Sequence, residues 1–465
     1  MAVLPHFFER SRSPMFFTRD KSFYRSFFHL FIVVVLQNVV AYSVNMADNL
    51  MLGSYSQAAL SGAATVNQIQ FLVQQATLSF GDGIVILNAQ YWGKRHLSPI
   101  RSVTGIALKV GCVLGAGIFA LTALFPAPIV GLFTPDSQII AAGVEYLSVI
   151  KFTYPFYILS TLMMAALRSV ETVNISFGTS LMSLVVNVCI NYLLIFGHFG
   201  FPELGILGAS IGTLTARILE FLVVLFYIAR VDRRLQLFSE NPFRRSKELE
   251  RDYVRVALPV VGANLLWSMA TPIQTAILGR LSSDAIAANS VSTTVFQYLK
   301  VITASEASST SVTMGRIIGS GLTEPRQLRP YVRTLQAIFL LFGFASGGSL
   351  LLLRQPLLSL YSLTPGAMEL AGQLIPLMAL IYVGMAYQMP IATGVIRGSG
   401  DTKFSMYLNL ISAWLIVMPL SFAAAFWWSL PVFWVVFLLN FDQLFKCIPV
   451  AIRVNRYKWV HILTR

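Results

Sequence analysis

Asp48 is the residue best placed to handle a cation. It ends a series Asn38, Ala41, Asn45, Asp48, three or four residues apart, which puts all four on one face of a helix. A second polar stripe runs Ser176, Thr179 or Ser180, Ser183, Asn187, Asn191, and Thr213 follows in the next apolar segment. A single carboxylate among amides and hydroxyls can take up and release a proton, or hold a sodium ion with help from neighbouring oxygens. Removal from water disfavours the charged form of a carboxylate, and only one acidic donor is present, so the proton is expected over sodium. Polar stripes at helical spacing also hold membrane helices together, and that role stands beside the coupling one. It explains the amides more easily than Asp48, because an ionisable side chain inside a lipid-spanning helix is costly unless it is used.

Other ionisable residues lie in apolar surroundings. Asp82 in FGDG and Glu306 in ASEASS are secondary candidates, as a second protonation site, a contact for cationic cargo, or members of buried pairs. Lys109 is expected at the depth of Asp82 and Lys300 nearer the middle of the membrane, while Arg217 and Glu220, three apart, are expected to pair. Phe71, Trp267, Met269, Tyr298, Tyr387 and Met389 are candidates to line an adaptable apolar cleft, since methionines and aromatic rings suit varied, often cationic, ligands. No GxxxxGK[ST] phosphate loop is present and the five histidines lack metal-ligand spacing, so neither an enzyme nor a resident cofactor is expected.

The elements that must position these residues are membrane helices. Hydrophobic residues make up 56% of the 465, mean hydropathy is +0.69, and apolar runs of about 20 residues recur along the chain. Twelve helices are predicted, over 26–53, 58–92, 101–125, 138–165, 176–197, 206–231, 255–281, 285–318, 330–354, 368–396, 403–427 and 430–452. The net charge of +14 is topological, which excludes a nucleic-acid partner. Basic residues collect before helix 1 (Arg10, Arg12, Arg19, Lys21, Arg25) and after each even-numbered helix, as at Lys94 and Arg95, Arg168, Arg233 to Arg251, Arg326 to Arg333, Arg397 and Lys403, and Arg453 to Arg465. The alternate loops are nearly free of them, apart from Arg280 and Arg354. Both termini are therefore expected in the cytoplasm, with the chain in the cell membrane, plasma or bacterial inner, among its lipids. Helices 1 and 5 then run outward and helix 6 inward, so Asp48, Asn191 and Thr213 meet at one depth in the outer half. The first 25 residues are basic and aromatic without a small-residue cleavage site, so no removed leader is expected. Cys112, Cys189 and Cys447, scattered through apolar runs, read as inert core residues.

The chain repeats itself. DNLMLGSYSQAALSG from Asp48 aligns without a gap on QTAILGRLSSDAIAA from Gln274, 226 residues later, pairing Leu52 with Leu278, Gly53 with Gly279, Ser56 with Ser282, Ala59 with Ala285, Thr77 with Thr303 and Gly93 with Gly319. The halves are a first lobe over 26–231 and a second over 255–452, between a segment 1–25, a linker 232–254 and a tail 453–465. Six helices is an even number, so the repeats are parallel, with a central cleft between them as the default site for a small organic substrate.

DNLMLGSYSQAAL, VVNVCINYLLIFG, LGILGASIGT and IRGSGDTKF, in this order and spacing, resemble the multidrug and toxic compound extrusion (MATE) family over residues 26 to 450. The resemblance implies an all-α antiporter of two six-helix bundles, which exports amphipathic, often cationic, compounds against protons or sodium ions by alternating access, and a monomer is expected. It places Asp48, Asn187 and Thr213 at the family's first-lobe cation site, with Asn191 where some members have an aspartate; Asn45 joins these candidates through its place on the helix 1 stripe. Three features depart from the pattern. No proline occurs between Pro14 and Pro99 to bend helix 1, PVVGANLLWSMATPIQ and YVGMAYQMPIATGVI carry no acid, and the first-lobe version of RGSGDT is reduced to RSVET at Arg168. A cation site in the second lobe is therefore not expected. The alternatives are a flippase for lipid-linked precursors, of a related superfamily, and a non-transporting membrane receptor.

Overall fold

A computed structural model describes residues 16–244, 246–279, 283–359, 361 and 363–464. Arg10, Arg12, Pro14, Arg245, Arg280, Ser282 and Arg465, used above for topology and for the repeat, lie outside the described residues, as do the side chains of Leu278 and Gly279.

The described chain is almost entirely helical. In order, the helices are α1 (Lys21–Tyr55), α2 (Gln57–Gly93), α3 (Leu97–Leu124), α4 (Pro126–Gly131), α5 (Ser137–Ile150), α6 (Thr153–Ser169), α7 (Asn174–Phe196), α8 (Ile206–Val231), α9 (Lys247–Gly279), α10 (Ser283–Gly319), α11 (Pro325–Leu352), α12 (Arg354–Ser359), α13 (Pro365–Arg397), α14 (Thr402–Trp427), α15 (Val432–Leu439) and α16 (Asp442–Asn455). Eight are long and apolar enough to cross a membrane, and the bent pairs α5–α6 and α15–α16 bring the count to ten. The remaining two spans are α2 and α10, each 37 residues long. They are less apolar because they run through the centre of the molecule, with Thr77, Ser79, Asn88, Gln90, Thr303, Glu306 and Thr310 buried against neighbouring helices rather than facing lipid.

The duplication is visible in the element lengths. α3 and α11 are both 28 residues, and α4 and α12 are both six. From α1 against α9 to α8 against α15, corresponding helices start 226 to 228 residues apart.

Local chemistry sets several boundaries. Asp20 accepts from the amides of Ser22 and Phe23 to start α1, and Asp136, Thr364 and Asp401 do the same for α5, α13 and α14. Ser56 alone separates α1 from α2; it closes the first and its hydroxyl caps the second at Ala59 N, 3.0 Å away.

The structure differs from the sequence expectation in four places. Helix 4 is not one rod over 138–165 but breaks by 54° between Ile150 and Thr153. Pro155 lies three residues into α6, where it cannot donate to the carbonyl of Lys151 and its ring crowds that group. The last span, expected over 430–452, bends by 42° at Asn440 and Phe441, beside a buried polar group in α16. The linker is shorter than 232–254, since α9 begins at Lys247, and it folds onto the first lobe, where Arg101 binds Leu235 O and Glu240 and Lys109 binds Phe243 O. The cysteines are not all in the core: Cys112 and Cys189 are exposed on the helix surface and Cys447 is half-buried. Without a proline, α1 runs unbroken.

Candidate functional site

The helices bring a carboxylate and a file of amides together between α1, α7 and α8. Asn191 Nδ2 donates to Asp48 Oδ1 at 2.5 Å and lies 3.4 Å from Asn187 Oδ1, and Asn187 Nδ2 donates to Thr213 Oγ1 at 3.2 Å. Asn187 and Asn191 share one face of α7 and are fully buried, as helical spacing dictates. Gly212 permits the close approach of α8, because a Cβ there would overlap Asn191 Oδ1. That oxygen has no donor among the described residues.

Tyr146 on α5 is a member of this group that sequence reasoning missed. It is buried in the neighbourhood of Asp48 and Thr213. One tyrosine in an apolar run carries no periodic signal, and only the 54° break aims α5 at this point. Arg217, one turn beyond Thr213, pairs with Glu220 at 2.7 Å as expected, stacks over Tyr157, and its field reaches Asp48.

The stripe on α1 does not act as one face. From Asn38 to Asp48 it turns through about 80°, and its two edges meet different partners. Asp48 faces α7, whereas Asn38 Nδ2 donates to Ser305 Oγ on α10 at 3.1 Å. Asn45 is outside the amide file and lines a cavity between the lobes.

This cavity, about 650 Å³, lies where α1 and α2 meet α10 at the end of the helices remote from the basic loops. Its wall includes Tyr42, Asn45, Met46, Asn49, Gln297 and Tyr298, and among the described residues that line it none is acidic or basic. Of the expected lining residues, Tyr298 is on the wall. Phe71 and Trp267 meet across the lobes, with ring centroids 6.5 Å apart. Met269, Tyr387 and Met389 do not line it. Met269 is exposed, Tyr387 is bound by Gln336 at 3.3 Å, and Met389 packs beside Tyr382 and Met385.

At the opposite, basic end the lobes close on each other. α2 and α10 cross backbone to backbone, so that a Cβ on Gly93 would overlap Gly319 and one on Gly319 would overlap Gln90. Asp82 is not a solitary acid; Arg397 of the second lobe binds it at 2.7 Å and also approaches Asn264. Arg316 pairs with Glu171 across the same boundary. The chain's last residues add a strap, in which Gln90 donates to His461 O and accepts from Leu463 N, and Lys94 holds Thr464 O. Glu306 is wholly buried and neither carboxyl oxygen has a partner among the described residues. Asp442, which the sequence reading passed over, is tied to Lys446 at 2.8 Å. Among the described residues no group of three acidic, histidine or cysteine side chains is placed to hold a metal.

A family model, MatE, matches residues 34–193 and 259–423. The chain belongs to the MatE family. It is 27% identical over 398 residues to the multidrug resistance protein PmpM of Pseudomonas aeruginosa, covering 84% of this chain and 81% of that one. It is 25% identical over 395 residues to the probable multidrug resistance protein NorM of Thermotoga maritima, covering 83% and 82%. Its fold matches the outward-facing conformation of a multidrug resistance MATE transporter with a TM-score of 0.84 and 15% identity, over 95% of this chain and 99% of that one. The chain is thus an all-α integral membrane transporter of the MatE family with the twelve-span fold, related to multidrug resistance proteins.

Proposed function

We propose that this MatE protein is a secondary antiporter of the cell membrane. As a monomer it exports amphipathic organic compounds against inward-moving protons, with sodium as the less favoured ion, and it performs no chemical step on its cargo. The two lobes form a first, coupling half over residues 26–231 and a second half over 255–452. The basic end faces the cytoplasm, by the positive-inside rule, so the cavity opens outward and the closed end seals the inside.

The observation that carries the reading is the hydrogen-bonded file from Asp48 through Asn191 and Asn187 to Thr213. When Asp48 is ionised, Asn191 presents its N–H to it. When Asp48 takes a proton it becomes a donor and needs an acceptor, and a turn of the Asn191 amide supplies the unpartnered Oδ1. Asn187 and Thr213 then reorient in sequence, which couples one protonation to the packing of α1, α7, α8 and Tyr146. A site that offers N–H groups to its carboxylate suits a proton better than a metal ion, which needs converging oxygens. The neutral cavity wall also differs from the strongly cationic cleft expected of a flippase.

The test is Asp48→Asn in purified protein reconstituted in vesicles with an imposed pH gradient. Dye export should fall to background with the protein still monodisperse, and a protonophore should do the same to the native chain while sodium removal changes nothing. Undiminished export by the variant would overturn the assignment.

A further inference from the structure

The described residues of the cavity wall carry no acidic or basic side chain, and a basic residue lies one turn beyond them. Lys300 lies one turn along α10 from Gln297, on the same helix face and about 4.5 Å deeper. Its ammonium sits 4.0 Å above the Trp267 ring, and Trp267 in turn meets Phe71 of the other lobe. This trio spans the two lobes just above the closed basic end, where Asn264, one turn before Trp267, binds Ser79 and approaches Arg397.

Lys300 lacks a carboxylate of its own among the described residues. The acid whose field reaches it, Asp442, is already engaged by Lys446 at 2.8 Å, so Lys300, Asp442 and Lys446 together carry one net positive charge. The cation–π contact with Trp267 offsets part of the cost of holding an ammonium there, but it does not neutralise the charge. A lone charge in a membrane interior is costly, and a bound counter-ion removes that cost.

We propose that Lys300 is the charge-selecting residue of the cargo site, and that the cargo is an aromatic amphiphile bearing a carboxylate or comparable acidic group, as an anion or a zwitterion. The acidic group pairs with the Lys300 ammonium and the ring system lies against Trp267, Phe71 and Tyr298. This deepens the export reading and rests on it. It departs from the expectation, taken from the family resemblance, that cargo is often cationic: among the described residues no acid lines the cavity to receive a cation, and Asp48 points away toward Asn191.

The test uses two dyes that differ by one group, rhodamine B, which carries a free carboxylate, and its ethyl ester, which does not. The purified full-length chain should bind the acid at least about tenfold more tightly than the ester by fluorescence polarisation, the scale of one charge-assisted contact. Lys300→Gln should bring the ratio close to one, and Lys300→Arg should keep most of it. Should Lys300→Gln fail to fold, the two native dissociation constants still decide. Equal affinity of the native chain for both dyes, or a ratio unmoved by Lys300→Gln, overturns the proposal. Export of both dyes alike, abolished by Asp48→Asn, would sink the charge selection and leave the antiporter. Lys300-dependent binding of the acid without any export would do the reverse.

Discussion

The two lobes answer one architectural question with different chemistry. At the 226-residue offset Asp48 falls on Gln274 and Thr213 on Leu439, while α14, the counterpart of α7, carries no amide side chain after Asn409. The geometry survives, because Gln274 still reaches across to the last span, where its Nε2 donates to Leu439 O at 3.4 Å. That carbonyl is left open by the bend after Leu439. In the first lobe the same contact is a carboxylate on a file of reorientable amides. In the second it is a neutral amide on a fixed backbone oxygen. Duplication thus kept the frame and left a carboxylate at this position in one copy only.

Asp48→Asn breaks the contrast most sharply by giving both lobes a neutral amide. Coupled export should fall at least about 100-fold while binding of the carboxylate dye persists, as the loss of a charged group that acts as a unit with its neighbours implies. Next, Asn191→Val, which gives the first lobe an apolar side chain of the kind α14 carries, should lower export by about tenfold or more, since protonated Asp48 then lacks its acceptor; initial rates in vesicles decide, and rates within twofold of native would show that the amide file is only packing. Gln274→Asp in the Asp48→Asn background should fail to restore export. It should also destabilise the protein by about 1–3 kcal/mol, because a carboxylate would face the Leu439 carbonyl; thermal unfolding in detergent reports this, and regained export would show the halves to be interchangeable. Arg397→Gln, which frees Asp82, should weaken the basic-end seal by about 1 kcal/mol, the bridge being partly exposed. A few-fold faster labelling of a cysteine introduced at Ser79 would register it. The smallest effect belongs to Cys112→Ala and Cys189→Ala, both exposed, for which export and stability should stay within error.

How much of this the sequence carries depends on the range over which each signal acts. Apolar run length reports a helix's own relation to the bilayer, so the twelve spans are legible. The shared depth of Asp48, Asn191 and Thr213 follows from helix direction alone. Direction in the membrane plane does not, which is why Asn45 reads as a companion of Asp48 yet faces the cavity. Tyr146 is invisible because a break caused by Pro155 aims it, and Asp442 because its neutralising partner, Lys446, defines its role. Met269, Tyr387 and Met389 have the right chemistry for a cleft, but their helices turn them elsewhere.

The joint at Ser56 has a mechanical meaning. One residue closes α1 and opens α2, leaving no slack between a helix that carries Asp48 two turns from the corner and one that reaches about 55 Å to Gly93. A small rotation of the short arm is not absorbed at such a corner. Under the proposed antiport it would swing the long arm, whose far tip, with Asp82 on the way, is the surface on which the other lobe rests. Lengthening this corner by two or three flexible residues should then uncouple export from protons while leaving every contact at Asp48 in place.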